Sequence, residues 1–154
     1  MKIIEGKKES ANLRIAIVQS KFNENICERL LAGALSCLRE NNIREENIDI
    51  VKVPGAFEIP LTADKLASQK KYDAIICLGA VIKGETAHFE YVSKAATDGI
   101  LNTGLKYGIP VIFGVITTYT EEQAEARAGE KENNKGWECA EAALEMADLM
   151  KKLK

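Results

Sequence analysis

The chain of 154 residues holds one histidine, one tryptophan and three prolines. With His88 as its only histidine it cannot assemble a His-rich metal site. Its four cysteines, Cys27, Cys37, Cys77 and Cys139, form no CxxC pair, so the usual zinc and thiol-redox signatures are missing. An excess of charge of one sign is missing too. Lys and Arg number 21 against 23 Asp and Glu, for a net charge of −2, so nucleic acid and anionic membranes have no electrostatic case as main partners. No apolar run approaches the ~20 residues of a membrane span. The opening Met1-Lys-Ile-Ile-Glu-Gly6 is too short and too polar for a signal peptide. A reduced, cytoplasmic setting is the simplest fit to this cysteine usage. There is no internal repeat, linker or low-complexity stretch, and no Walker loop GxxxxGK[ST].

What is present is the composition of an ordinary globular protein, 46% hydrophobic and 29% charged. The length suits one domain spanning residues 1–154. Strand and helix alternate along it. Residues 13–18 read as an apolar strand, and Ile26, Leu30, Ala34 and Leu38 then recur at helical spacing. A second strand over 48–53 closes at Pro54-Gly55 and precedes a helix over 59–69. A third strand over 74–78 is apolar throughout, as expected for burial on both faces, and Cys77 in it reads as a buried hydrophobe. Its helix spans 89–107, stopped by Gly108 and Pro110. The fourth strand covers 110–116. Thr120-Glu-Glu-Gln123 has the form of a capping box and opens a short helix, and the last helix spans 136–153. Strands separated by helices predict a four-stranded parallel sheet with right-handed crossovers and helices on both faces, an α/β three-layer αβα sandwich. The N-terminal arm at Ile3-Ile4 has no helix partner and is expected to extend as an edge strand, on this sheet or on that of another copy.

Three strand-to-helix turns carry unusual residues, and in such a sheet all three face one edge. In Ser20-Lys-Phe-Asn23, Phe22 is either a hydrophobic staple on the first helix or a stacking platform. In Val53-Pro-Gly-Ala-Phe-Glu-Ile-Pro60, Glu58 either complements the helix dipole or accepts hydrogen bonds from ligand hydroxyls. In Val81-Ile-Lys-Gly-Glu-Thr-Ala-His88, residues 84–86 precede a helix whose free N–H groups favour an anion. His88 ends that segment. Histidine changes charge near neutral pH and suits proton transfer, although a helix-cap or surface role is the plain alternative. Phe113 lies within the fourth strand, where core packing is the default. Arg127, Lys131 and Lys135 flank a glycine-containing break; three such cations either clamp a phosphate or form a solvated face.

Together these segments closely resemble the lumazine synthase family of riboflavin biosynthesis. The specific blocks are Val53-Pro-Gly-Ala-Phe-Glu-Ile-Pro60, Gly79-Ala-Val-Ile-Lys-Gly-Glu-Thr-Ala-His-Phe89, Phe113-Gly-Val-Ile-Thr117 and Gln123-Ala-Glu-Ala-Arg-Ala-Gly129. The resemblance runs from Phe22-Asn23 to Asn134-Lys-Gly-Trp-Glu138. It implies a flavodoxin-like fold with an extended N-terminal arm. It implies a transferase that condenses 5-amino-6-(D-ribitylamino)uracil with 3,4-dihydroxy-2-butanone 4-phosphate. The products are 6,7-dimethyl-8-ribityllumazine, phosphate and water, and neither metal nor organic cofactor is used. By resemblance Phe22 stacks on the pyrimidine. Ala56 and Phe57 offer backbone contacts, Glu58 binds ribityl hydroxyls, and Ala80, Val81 and Ile82 border the ring. Gly84, Glu85 and Thr86 hold the phosphate, and His88 moves protons. Phe113, Arg127 and Lys135 are implied to come from a neighbouring subunit, with Arg127 on the phosphate.

The resemblance further implies a homopentamer, twelve of which form an icosahedral shell of sixty chains with riboflavin synthase as its cargo. Shell-forming members carry a Gly-x-Lys-x-Gly-Asn loop, and here Gly129-Glu-Lys-Glu-Asn133-Asn134 places Asn133 at the second glycine. Asparagine tolerates positive φ, so the bend is expected to persist. Two alternatives remain at this stage. One is a flavin- or lumazine-binding module without turnover, which needs Phe22 and Glu58 but neither His88 nor Arg127. The other is a purely structural shell protein.

Overall fold

The computed structural model describes residues 1–9 and 12–154. Four strands form one sheet: β1 (Ile15–Ser20), β2 (Ile48–Val53), β3 (Ala74–Ile82) and β4 (Val111–Thr118). They are all parallel, in the order β2-β1-β3-β4. Alternation along β1 divides the core. Ile15 and Ile17 face one side, where α1 (Glu24–Glu40) and α5 (Lys135–Lys152) cover them with Leu30, Leu38, Ala140 and Leu144. Ala16 and Val18 face the other, under α2 (Ile59–Ser68) and α3 (His88–Tyr107), with Ile59, Ala63, Ala96 and Ile100. A strand buried on both faces has no polar side to show, which is why residues 15–18 of β1 read as a continuous apolar run.

The helix signals in the sequence have physical counterparts. Pro60 sits in the first turn of α2, where its missing N–H has no partner to lose. Gly108 ends α3 in the left-handed conformation, φ 64°, and its N–H closes on the Gly104 carbonyl at 2.9 Å. In α4 (Glu121–Ala126) the Thr120 hydroxyl accepts from the Gln123 N–H at 3.1 Å, and the Gln123 side chain accepts from the Tyr119 N–H at 2.8 Å. That is the reciprocal cap the sequence predicts, displaced by one residue at its second bond.

Three expectations need correction. The third strand does not stop at residue 78 but continues to Ile82, because Ala80, Val81 and Ile82 pair with Ile116, Thr117 and Thr118 of β4. The N-terminal arm, residues 1–9, adds no strand to this chain's own sheet, which leaves the sheet of another copy as the expected place for one. The arm lies along α5, where the Lys7 N–H reaches Asp148 at 2.7 Å and Lys152 Nζ reaches the Glu5 carbonyl at 2.9 Å. The 129–134 loop turns left-handed at Lys131 (φ 42°) rather than at Asn133, which completes a short 3-10 turn over Lys131–Asn133. The cysteines behave as expected of apolar residues. All four are buried and unpaired, and burial pushes the Cys27, Cys37 and Cys139 thiols up to about 11 and Cys77 higher still. A protonated buried thiol is a poor nucleophile.

Candidate active site

The chain reverses direction across the sheet between β1 and β3. The helix after β1 crosses on one face, and those after β2 and β3 cross on the other. The carboxyl ends of these strands therefore splay apart and leave a crevice, the usual place for a ligand in an open α/β sheet. A cleft of about 810 Å³ occupies it, within the normal range for small-molecule sites. Phe22, Ala56, Phe57, Glu58, Ala80, Val81, Ile82, Gly84, Thr86 and His88 all line it.

Each wall has a local cause. Phe22 projects from the β1–α1 turn and is 71% exposed, so it is not a staple on the first helix. Its backbone is fixed all the same: the Phe22 N–H donates to the Pro54 carbonyl at 3.1 Å and the Lys21 N–H to Val53 at 2.8 Å. Ala56, Phe57 and Glu58 form a 3-10 turn that delivers the chain into α2. Glu58 stands at the N-cap of α2 but makes no side-chain capping bond, which leaves its carboxylate free to accept from a ligand. Ala80, Val81 and Ile82 are the end of β3. Residues 84–86 then turn into α3, and His88 is the first residue of that helix. Its N–H reaches Thr86 Oγ1 at 3.4 Å. The start of a long helix carries partial positive charge and unpaired N–H groups, so an anion is favoured beside residues 84–86.

Phe113, Arg127 and Lys135 are not part of this cleft. They line a second one, of about 500 Å³, that shares no residue with the first. Phe113 is 38% exposed on the edge strand β4, so the default reading of core packing does not hold. Arg127 caps α4 with Nη1 on the Gln123 carbonyl at 3.0 Å, and the Lys135 N–H binds the Arg127 carbonyl at 2.8 Å. The two residues are thereby joined through their backbones. Lys131 leaves the group: its ammonium lies 3.5 Å from Glu40 and 5.4 Å from the Trp137 ring centroid, in the groove beside α1.

Two asparagines escape a sequence reading. Asn134 is 3% exposed; its amide donates to the carbonyls of Arg29 (3.0 Å) and Gly129 (2.9 Å), and its oxygen accepts from the Trp137 N–H at 3.1 Å. It holds the loop that presents Arg127 and Lys135. The N-cap signal before an apolar helix marks it, but not its reach to α1. Asn23 bonds across the crevice to the Ala80 carbonyl at 2.8 Å, and no sequence signal foretells that.

The fold and the cleft at its switch point define a flavodoxin-like α/β protein built around a small-molecule site. A family model described as 6,7-dimethyl-8-ribityllumazine synthase matches residues 12–151. Two relatives of that name, from strains of Clostridium kluyveri, are each 52% identical over 153 residues, covering 99% of this chain and 99% of the relative. The chain belongs to the 6,7-dimethyl-8-ribityllumazine synthase family, transferases of riboflavin biosynthesis.

Proposed function

We propose that the chain condenses 5-amino-6-(D-ribitylamino)uracil with 3,4-dihydroxy-2-butanone 4-phosphate to give 6,7-dimethyl-8-ribityllumazine, with release of phosphate and water. The observation that carries this is the convergence on one cleft of an exposed aromatic ring, an uncommitted carboxylate, a helix-start turn and the only histidine. Phe22 stacks on the pyrimidine against Ala80, Val81 and Ile82. Ala56 and Phe57 give backbone contacts, and Glu58 accepts from the ribityl hydroxyls. The N–H groups of Gly84, Glu85 and Thr86 and the Thr86 hydroxyl receive the phosphate. An amine attacks the ketone to form an imine with loss of water. Phosphate then leaves by elimination, and attack of the ribityl-bearing amine on the carbonyl that results closes the second ring with loss of a second water. His88 carries protons between these steps. The substrates are reactive in themselves, so positioning carries much of the rate. Mixing the two substrates with the protein and following lumazine absorbance tests the reading directly; no absorbance above the uncatalysed rate refutes it.

His88→Ala is expected to lower kcat by about 10²-fold at most, below the upper end of general acid–base help, because the chemistry proceeds without it. A kcat unchanged across the pH range removes His88 from the mechanism.

The second cleft belongs to the same reaction if copies of the chain pack so that Phe113, Arg127 and Lys135 of one close the Phe22 cleft of the next. A head-to-tail contact of this kind closes into a ring, and the proposed ring is a pentamer, with twelve rings in an icosahedral shell. Exposed Leu61 on α2, with Leu101 and Leu105 one turn apart on α3, supports packing between copies. Subunits carrying both His88→Ala and Glu58→Ala, co-assembled with Arg127→Ala subunits, are expected to regain activity at the interfaces that unite two intact halves. Verified mixed rings without recovery contradict a shared site. Analytical ultracentrifugation separates shell from pentamer. Four unpaired buried thiols suit a reducing compartment such as the cytoplasm.

A further inference from the structure

Asn23 stands at the N-cap of α1 in the left-handed conformation, φ 58° and ψ 50°. An N-cap asparagine ordinarily turns its oxygen back onto the helix N–H groups. Here no capping bond forms. The amide instead crosses the switch-point crevice and donates to the Ala80 carbonyl at 2.8 Å. The other side of the turn is tied to the β2 end through Pro54, and the Cys27 thiol donates to the Phe22 carbonyl at 3.3 Å. The Phe22 ring, 71% exposed, is thus placed by its backbone and not by packing.

We infer that Asn23 is a positioning residue of the pyrimidine pocket. Its amide fixes the gap between the Phe22 ring and the wall formed by residues 80–82. The inference rests on the reading of that gap as the pyrimidine site. A planar ring entering a preset slot does not have to order the turn on binding, and such ordering weakens affinity. Without the bond, the Phe22 turn is left with the weaker tie through the Cys27 thiol, which meets both the Phe22 carbonyl and the Ala80 backbone.

Two variants isolate the amide from the backbone. Asn23→Gly keeps the positive φ at no steric cost. Asn23→Asp keeps the side-chain shape and tolerates the same φ, but sets an oxygen against the Ala80 carbonyl. Titration calorimetry with 6,7-dimethyl-8-ribityllumazine, the product that fills the same pocket, reads the effect. Asn23→Gly is expected to weaken binding about tenfold, the worth of one hydrogen bond, and Asn23→Asp to weaken it further. The KM for the butanone phosphate stays within about twofold, because a single hydrogen bond at the pyrimidine end leaves the phosphate end untouched. On a Phe22→Ala background Asn23→Gly adds no further loss, which a general weakening of the fold would not reproduce. Parent affinity in both Asn23 variants beside a weakened Phe22→Ala, or full additivity of Phe22→Ala and Asn23→Gly, overturns the inference alone. Unchanged binding in Phe22→Ala overturns the pocket reading and the inference with it.

Discussion

Arg127→Ala is expected to raise the KM for 3,4-dihydroxy-2-butanone 4-phosphate by about 10²- to 10³-fold and leave that for the pyrimidine within about twofold. A planar guanidinium matches two phosphate oxygens at once, and hydrogen bonds to charged groups are each worth about 1.5–3 kcal/mol. The geometry makes the effect selective. Arg127 lies at the end of α4, its backbone bonded to Lys135 at 2.8 Å, in a cleft that lacks Phe22 and Glu58. On the shared-site reading it meets the phosphate that a neighbouring copy holds near residues 84–86. Lys135 is half-committed to Glu138 at 3.1 Å and replaces Arg127 poorly, since an ammonium is a point charge without the fork. Steady-state kinetics with each substrate varied in turn decides the matter. Equal effects on both KM values, or an effect on the pyrimidine alone, contradict the assignment.

Gly136→Ala is expected to destabilise the folded chain by about 3 kcal/mol, at the upper end of overpacking costs. An added Cβ would lie 1.9 Å from the Leu30 carbonyl oxygen. That atom is backbone, so no rotamer change relieves the clash, and α1 and α5 must move apart. The two helices bury Leu30, Ala34, Ala140 and Leu144 between them and the sheet, all of which lose contact on separation. Urea denaturation of the purified protein measures the change. A loss below about 1 kcal/mol would show that the helices adjust at little cost. The same substitution disturbs the first turn of α5, and on the shared-site reading it therefore lowers turnover as well.

The fold was largely legible because its central strands β1 and β3 are buried on both faces and its helices on one. Continuous apolar runs at 15–18 and 74–78 and the stripe from Ile26 to Leu38 carry that difference in the sequence. What escaped depended on partners distant in the chain. Residues 79–82 contain glycine and precede a turn, so they read as loop; pairing with β4 makes them strand. Arm residues 3–4 look like an edge strand by composition, yet neighbouring Glu5 and Lys7 find partners on α5. The site residues were legible in another sense. Position alone left Phe22, Glu58 and His88 ambiguous, and Phe113 looked like core. Ordered blocks at family spacing gave each of them an expected role where periodicity had nothing to add. The Asn23 bond to Ala80 lay beyond both, because it joins positions 57 apart in sequence through a conformation that reads only as a helix cap.

The separation of the two clefts has a consequence for how the protein works at low abundance. On the shared-site reading, each isolated chain has both halves of the machinery and no complete site. Turnover per chain then follows the law of mass action for association, falling as copies dissociate on dilution even while every chain remains folded. A cell making little of this protein would lose flux faster than it loses protein.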